Sequence, residues 1–249
     1  MLQMKNSNRA HLIYIIPNLF TAASAFMGVL SIIASSKGEF EKAVYLILLS
    51  LVFDGLDGRV ARLTKTTSKF GAEFDSLADL VAFGVAPGML FYFDIGIHYA
   101  KVGSLLSALY VLFGAFRLAR FNVTNPSNEP SVFVGVPIPT AAVFISIWIL
   151  FFEKYYFLKE QISFLLLVFI ALISILMVSN IRYPSFKKIN LPKTDIKKVL
   201  IVLIILFSFV YLYFIESLTF LFTTYIIYGL IRGYKNFLKR KKIAKKEKI

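Results

Sequence analysis

The 249-residue chain contains no cysteine, and its two histidines, His11 and His98, are far apart. Disulfides and thiolate metal sites are therefore excluded, and two scattered histidines do not build a histidine-rich metal centre. Internal repeats and low-complexity linkers are also absent. No cleavable signal is expected: residues 1–11 are short and polar, with Lys5 and Arg9, and lead into an apolar segment too long for a signal core. What the chain has in excess is apolar surface, with 58 % hydrophobic residues and a mean hydropathy of +0.73. Soluble domains run at about 45–50 % apolar, so the composition predicts an all-α polytopic membrane protein.

Crossing the hydrocarbon core takes about 20 apolar residues in a helix. Eight segments qualify: 13–35, 41–62, 71–93, 99–119, 133–152, 161–181, 197–214 and 217–233. Pro87 is expected to kink the third, and a tight turn near Glu216 to join the last two. With the N-terminus inside, 23 of the 28 Lys and Arg fall on one side of the membrane, which predicts that both termini are cytoplasmic. Residues 1–12 then form a cytoplasmic segment, 13–190 a membrane core, 191–233 two additional helices and 234–249 a basic tail. A net charge of +14 could suggest nucleic acid, but the cations form a cytoplasmic collar. The tail KNFLKRKKIAKKEKI reads instead as attraction to anionic lipid headgroups, or as a solvated positive-inside tail with no specific partner.

Asp54, Asp57, Asp75 and Asp79 break the apolar pattern. Ionised carboxylates at membrane depth cost several kcal/mol each unless paired or bound to a cation. Asp54, Asp57, Gly58, Ala61 and Arg62 are offset by 3, 4, 7 and 8 and share one helical face, while Gly71, Asp75 and Asp79 stack at intervals of four. The connection over residues 63–70 is short, so the two helices are antiparallel neighbours whose faces can meet. Clustered carboxylates repel one another at low dielectric. Hard divalent cations remove that repulsion and prefer oxygen ligands and substrate phosphates. Small residues at 58, 61 and 71 leave room for a ligand, and Arg62 offers a fixed fork for phosphate. The set describes a metal-assisted phosphoryl-transfer site.

These residues carry a resemblance. Asp54-x-x-Asp57-Gly58-x-x-Ala61-Arg62, then eight residues, then Gly71-x-x-x-Asp75-x-x-x-Asp79 is similar to the full signature of the CDP-alcohol phosphatidyltransferases. A chance match at one start site is on the order of 10⁻¹⁰ at ordinary residue frequencies. The resemblance implies a membrane enzyme that acts on a CDP-linked lipid and uses two divalent ions, Mg²⁺ or Mn²⁺. It implies Asp54, Asp57, Asp75 and Asp79 as metal ligands, Asp79 also as general base, and Gly58, Ala61, Arg62 and Gly71 as the lining of the CDP-lipid pocket. A homodimer is part of the same expectation.

The signature alone fits several acceptors: serine, glycerol 3-phosphate, inositol phosphate or choline. IPNLFTAASAFMG (16–28), AFRLARFNV (115–123), FVGVPIPTAA (133–142) and MVSNIRYPSFK (177–187) together resemble the integral-membrane class of bacterial phosphatidylserine synthases. That likeness covers the chain through about residue 190. It implies CDP-diacylglycerol and L-serine as substrates, phosphatidylserine and CMP as products, and the bacterial inner membrane as the location, with the site facing the cytoplasm. Arg117, Arg120 and Asn122 sit at a cytoplasmic helix end, where an arginine fork could hold the serine carboxylate. Positive-inside anchoring explains the two arginines equally well, and capping or interface anchoring explains Asn180 and Arg182. Gly135, Pro137 and Pro139 read as a rigid turn. Another class also places acids in membranes, the cation transporters. The acids here lie on two adjacent helices at one membrane end, without the internal repeat and midplane site common in transporters.

Overall fold

The computed structural model of the protein describes residues 2–64, 66–124, 132–184, 200–201, 204 and 208–246. Helix α1 (Leu2–Ser36) turns back through Gly38, at φ 77°, into α2 (Phe40–Thr64). The third segment is α3 (Lys69–Asp79), a π-helical turn (Leu80–Val85) and α4 (Ala86–Asp94). A 3₁₀ turn (Gly96–Tyr99) leads to α5 (Ala100–Thr124), and α6 (Ile138–Lys154), α7 (Tyr156–Ile162), α8 (Phe164–Val178) and α9 (Phe214–Lys246) complete the bundle.

Apolar burial cannot by itself bring helices together in lipid, so close packing and interhelical hydrogen bonds must. The α1–α2 seam follows that rule. Ser24 and Ser50 place their hydroxyls 2.7 Å apart, and Ser31 donates to the Ala43 carbonyl at 2.9 Å. Gly28 lets the π turn press close, because a Cβ there would lie 2.7 Å from Ala82 Cα. Helix α6 is apolar on all sides and is buried at its centre among α2, α4, α8 and α9.

Among the described residues, four helical stretches are long and apolar enough to span: Ile16–Ser36, Lys69–Asp94, Gly96–Thr124 and Phe214–Tyr234. A fifth is reached if α6 and α7, bent by 114° at Tyr155, count as one span. Helix α2 has the length, but its second half carries Asp54, Asp57, Arg59 and Arg62. Helix α8 has 15 residues, which rise about 22 Å. The seventh expected span, 197–214, lies partly outside the described residues.

Several boundaries differ from the sequence expectation. The fifth span was expected from 133, but Val132–Val134 form a short strand, β1, antiparallel to β2 (Arg182–Pro184), with Phe133 opposite Tyr183. The all-α reading therefore needs this small ribbon added. Its cause is the turn Gly135-Val136-Pro137: Gly135 takes φ 76° and donates to the Ile181 carbonyl at 2.8 Å, so α6 can start only at Ile138. The segment expected at 161–181 belongs partly to α7, and α8 stops at Val178. The turn expected near Glu216 lies at Tyr213, between a helical stretch at 208–212 and the start of α9 at Phe214; Tyr213 N–H bonds to Phe209 O and Ser217 N–H to Tyr213 O.

The irregularity expected at Pro87 is the π turn before it. Proline has no N–H, so the Phe83 carbonyl four residues earlier loses its helical donor. The buried Tyr110 hydroxyl of α5 donates to that carbonyl at 3.0 Å, and one turn away Ser107 donates to the Gly88 carbonyl at 2.6 Å.

Candidate active site

Helix α2 supplies Asp54 and Asp57, and α3 supplies Asp75 and Asp79. The link between them is tight. Thr66 N–H closes onto the Ala61 carbonyl at 3.0 Å, and Ser68 caps α3 by accepting the Gly71 N–H at 3.0 Å. One carboxylate oxygen from each of Asp54, Asp57 and Asp75 lies within 4.8 Å of the other two. Asp57 is only 5 % exposed and accepts a 2.7 Å hydrogen bond from the Thr21 hydroxyl of α1. Asp79 sits against Asp54, with Asp75 and Arg117 close enough to feel its charge.

Asp75 Oδ1 is buried with no hydrogen-bond partner among the described residues. A buried carboxylate oxygen left unpaired carries a penalty of several kcal/mol in order of magnitude. Three converging carboxylates, one with an orphan oxygen and none in a salt bridge among the described residues, form an all-oxygen donor set that suits a hard divalent cation. The residues present fit such an ion.

Beside this cluster opens a cavity of about 190 Å³. Gly58, Ala61, Arg62 and Gly71, the four positions expected to line a nucleotide-lipid pocket, all line it, together with Asp57 and Asp75. Its far wall is α1, through Pro17, Asn18 and Thr21, and its floor includes Thr66 and Ser68. Gly71 is needed for close approach: a Cβ there would lie 3.1 Å from Ser68 Oγ and 3.3 Å from Asn18 Oδ1. Sequence reasoning assigned nothing to Asn18 or Thr21. The available signal was a pair of polar residues three apart, one helical turn, in the cytoplasmic half of an apolar span.

The three α5 residues expected to meet the acceptor separate. Arg117 is 8 % exposed, lies over the Phe121 ring at 5.7 Å, and leaves Nε buried without a hydrogen-bond partner among the described residues. Arg120 instead spends its fork on main-chain carbonyls, with Nη1 2.9 Å from Val178 O and Nη2 3.1 Å from Val134 O. It thereby ties the C-terminal end of α8 to the ribbon. Asn122 Nδ2 donates to Ser76 Oγ at 3.0 Å, linking α5 to α3 one residue from Asp75. Asn180 Oδ1 lies 3.4 Å from Arg120 Nη1, and the side chain of Arg182 is not among those described.

Residues 14–177 match the family model for CDP-alcohol phosphatidyltransferase. The chain is 51 % identical over 220 residues to the CDP-diacylglycerol–serine O-phosphatidyltransferase of Helicobacter pylori, covering 88 % of this chain and 91 % of that protein. It is 37 % identical over 183 residues to the archaetidylserine synthase of Methanothermobacter thermautotrophicus, covering 73 % and 74 %. To the CDP-diacylglycerol–serine O-phosphatidyltransferase of Methanocaldococcus jannaschii it is 37 % identical over 163 residues, covering 66 % and 74 %. With its apolar helices, these likenesses make it a multi-pass membrane protein. The matched segment holds all four aspartates and the residues around the cavity, and on that span the chain belongs to the CDP-alcohol phosphatidyltransferase family.

Proposed function

We propose that the protein transfers the phosphatidyl group of CDP-diacylglycerol to the hydroxyl of L-serine, giving phosphatidylserine and CMP. The observation that carries this reading is the orphaned Asp75 Oδ1 in a three-carboxylate cluster, opening on a cavity lined by Gly58, Ala61, Arg62 and Gly71. The serine acceptor rests on the relatives named for it.

Asp54, Asp57, Asp75 and Asp79 would hold two divalent ions, Mg²⁺ or Mn²⁺. When bound, such ions neutralise phosphate oxygens and stabilise charge on departing CMP. The protein's own groups do the rest. Thr21 orients Asp57, and Arg62 and the glycine windows seat the pyrophosphate against backbone. Arg117, buried and holding an unpaired Nε, engages the serine carboxylate and turns the hydroxyl toward the β-phosphorus. Asp79 accepts the hydroxyl proton as the oxygen attacks. Asn122 and Arg120 support that site from α5, Arg120 by holding the ribbon in place.

Taken over the eight spans expected from the sequence, the positive-inside count supports both termini and the site facing the cytoplasm of a bacterial inner membrane. The basic end of α9 continues the last span as helix to Lys246, which supports contact with anionic lipid. A core at 13–190 with two appended spans is part of the same reading, and the family match at 14–177 supports the core. A homodimer belongs to the same reading.

The test is a headgroup assay with purified protein, CDP-diacylglycerol and Mn²⁺. Labelled serine is expected in the lipid fraction with stoichiometric CMP. Labelled glycerol 3-phosphate or inositol phosphate entering lipid in its place would assign a different acceptor. Divalent-ion flux without CMP release would replace the transferase reading with transport.

A further inference from the structure

The π turn starts at the residue after Asp79 and ends just before Pro87. A π turn carries one residue more than the α-helical turn it replaces, and one residue is worth about 100° of helix rotation. The turn therefore sets the angle between the Asp75/Asp79 stripe of α3 and the buried face of α4. Three contacts hold it: Ala82 against Gly28 of α1, Gly84 with Ile138 of α6 across the space its missing Cβ leaves, and the Phe83 carbonyl under the Tyr110 hydroxyl. Only the last is a hydrogen bond, and it serves a carbonyl of the turn that Pro87, four residues on and without an N–H, cannot serve.

Tyr110 also lies on the right stripe to act as a ruler. Ser107, Tyr110, Gly114 and Arg117 recur at intervals of three and four on α5. Ser107, Tyr110 and Arg117 face Gly88, Phe83 and Asp79 in turn, reading backward along the third segment, while Gly114 faces Ile138 of α6. The face that fixes the π turn is thus the face that brings Arg117 to Asp79.

We propose that Tyr110 is a positioning residue for the aspartate site: its hydroxyl keeps the π turn in phase, so that Asp79 stays aligned with Asp54, Asp75 and Arg117. Tyr110 is fully buried. The proposal rests on the reading of Asp79 as a metal-site residue, and it is independent of which alcohol is the acceptor.

The experiment compares wild type, Tyr110→Phe, Pro87→Ala and the double variant, reading Mn²⁺ binding by electron paramagnetic resonance and kcat for CMP release. Tyr110→Phe removes one oxygen and leaves the Phe83 carbonyl buried and unpaired, so Mn²⁺ affinity and kcat should each fall about tenfold, with KM for CDP-diacylglycerol within about twofold of wild type. Pro87→Ala restores a backbone N–H within reach of that carbonyl. The double variant should therefore recover most of both losses, a rescue that a loss of general packing around residue 110 would not show. Wild-type Mn²⁺ affinity in Tyr110→Phe, or a loss that Pro87→Ala does not relieve, would overturn the proposal. If the acceptor assignment fails instead, serine incorporation is absent from every variant while the Mn²⁺ differences remain.

Discussion

Thr21 Oγ1 lies 2.7 Å from Asp57 Oδ2, so the first helix reaches into a carboxylate cluster otherwise built by the second and third. A hydrogen bond to an ionised group is worth about 1.5–3 kcal/mol. Thr21→Val keeps the shape and removes the donor. Asp57 is then free to rotate, and the Mn²⁺ concentration that half-saturates CMP release should rise about tenfold. A Mn²⁺ titration at saturating lipid checks this.

Gly71→Ala tests the nucleotide side of the cavity. The added methyl would press on Ser68 Oγ and Asn18 Oδ1 at 3.1 and 3.3 Å, at the cap of α3. Crowding of this kind costs about 1 kcal/mol or more. KM for CDP-diacylglycerol should rise about three- to tenfold with KM for serine unchanged, measured by varying each substrate in turn.

The two α5 arginines should behave in opposite ways. Arg117→Lys keeps the charge but loses the fork, and KM for serine should rise about tenfold with little change in thermal stability. Arg120→Lys cannot span Val134 O and Val178 O together, so it should unfold at lower temperature, by about 1–3 kcal/mol, while the folded enzyme keeps its KM for serine. Thermal unfolding in detergent, set beside serine kinetics, separates them.

The aspartates and their glycine windows were legible in the sequence because helix periodicity alone puts Asp54 with Asp57 and Asp75 with Asp79 on common faces. Arg120 was not, because its partners are carbonyls 14 and 58 residues away and no spacing encodes them. Val132–Val134 read as the start of a span because β-branched apolar residues suit strand and membrane helix alike; only the pairing with Arg182–Pro184 decides. The π turn had a partial signal in Gly84 and Pro87, yet the donor that completes it, Tyr110, lies on another helix. Thr21 and Asn18 were passed over for the same reason: one polar residue in an apolar span acquires meaning only from what stands opposite.

Gly229 gives a test of how the last helix docks. A Cβ at that position would fall within the ring of the buried Tyr183, whereas one at Gly233 would meet Ile181 at 3.0 Å. Gly229→Leu should destabilise the protein by about 1–3 kcal/mol or more, and Gly233→Ala by clearly less. Thermal unfolding of both variants in one detergent gives the comparison.

The central claim is that the four aspartates form a divalent-metal site in which Asp79 takes the proton from serine. The most direct measurement is incorporation of labelled serine into lipid by Asp79→Asn, purified from membranes in the folded state, with CDP-diacylglycerol and Mn²⁺ present. Asparagine keeps the shape and removes both the charge and the base, so incorporation should be abolished while insertion and thermal stability are kept. Serine incorporation retained near the wild-type rate would contradict the assignment.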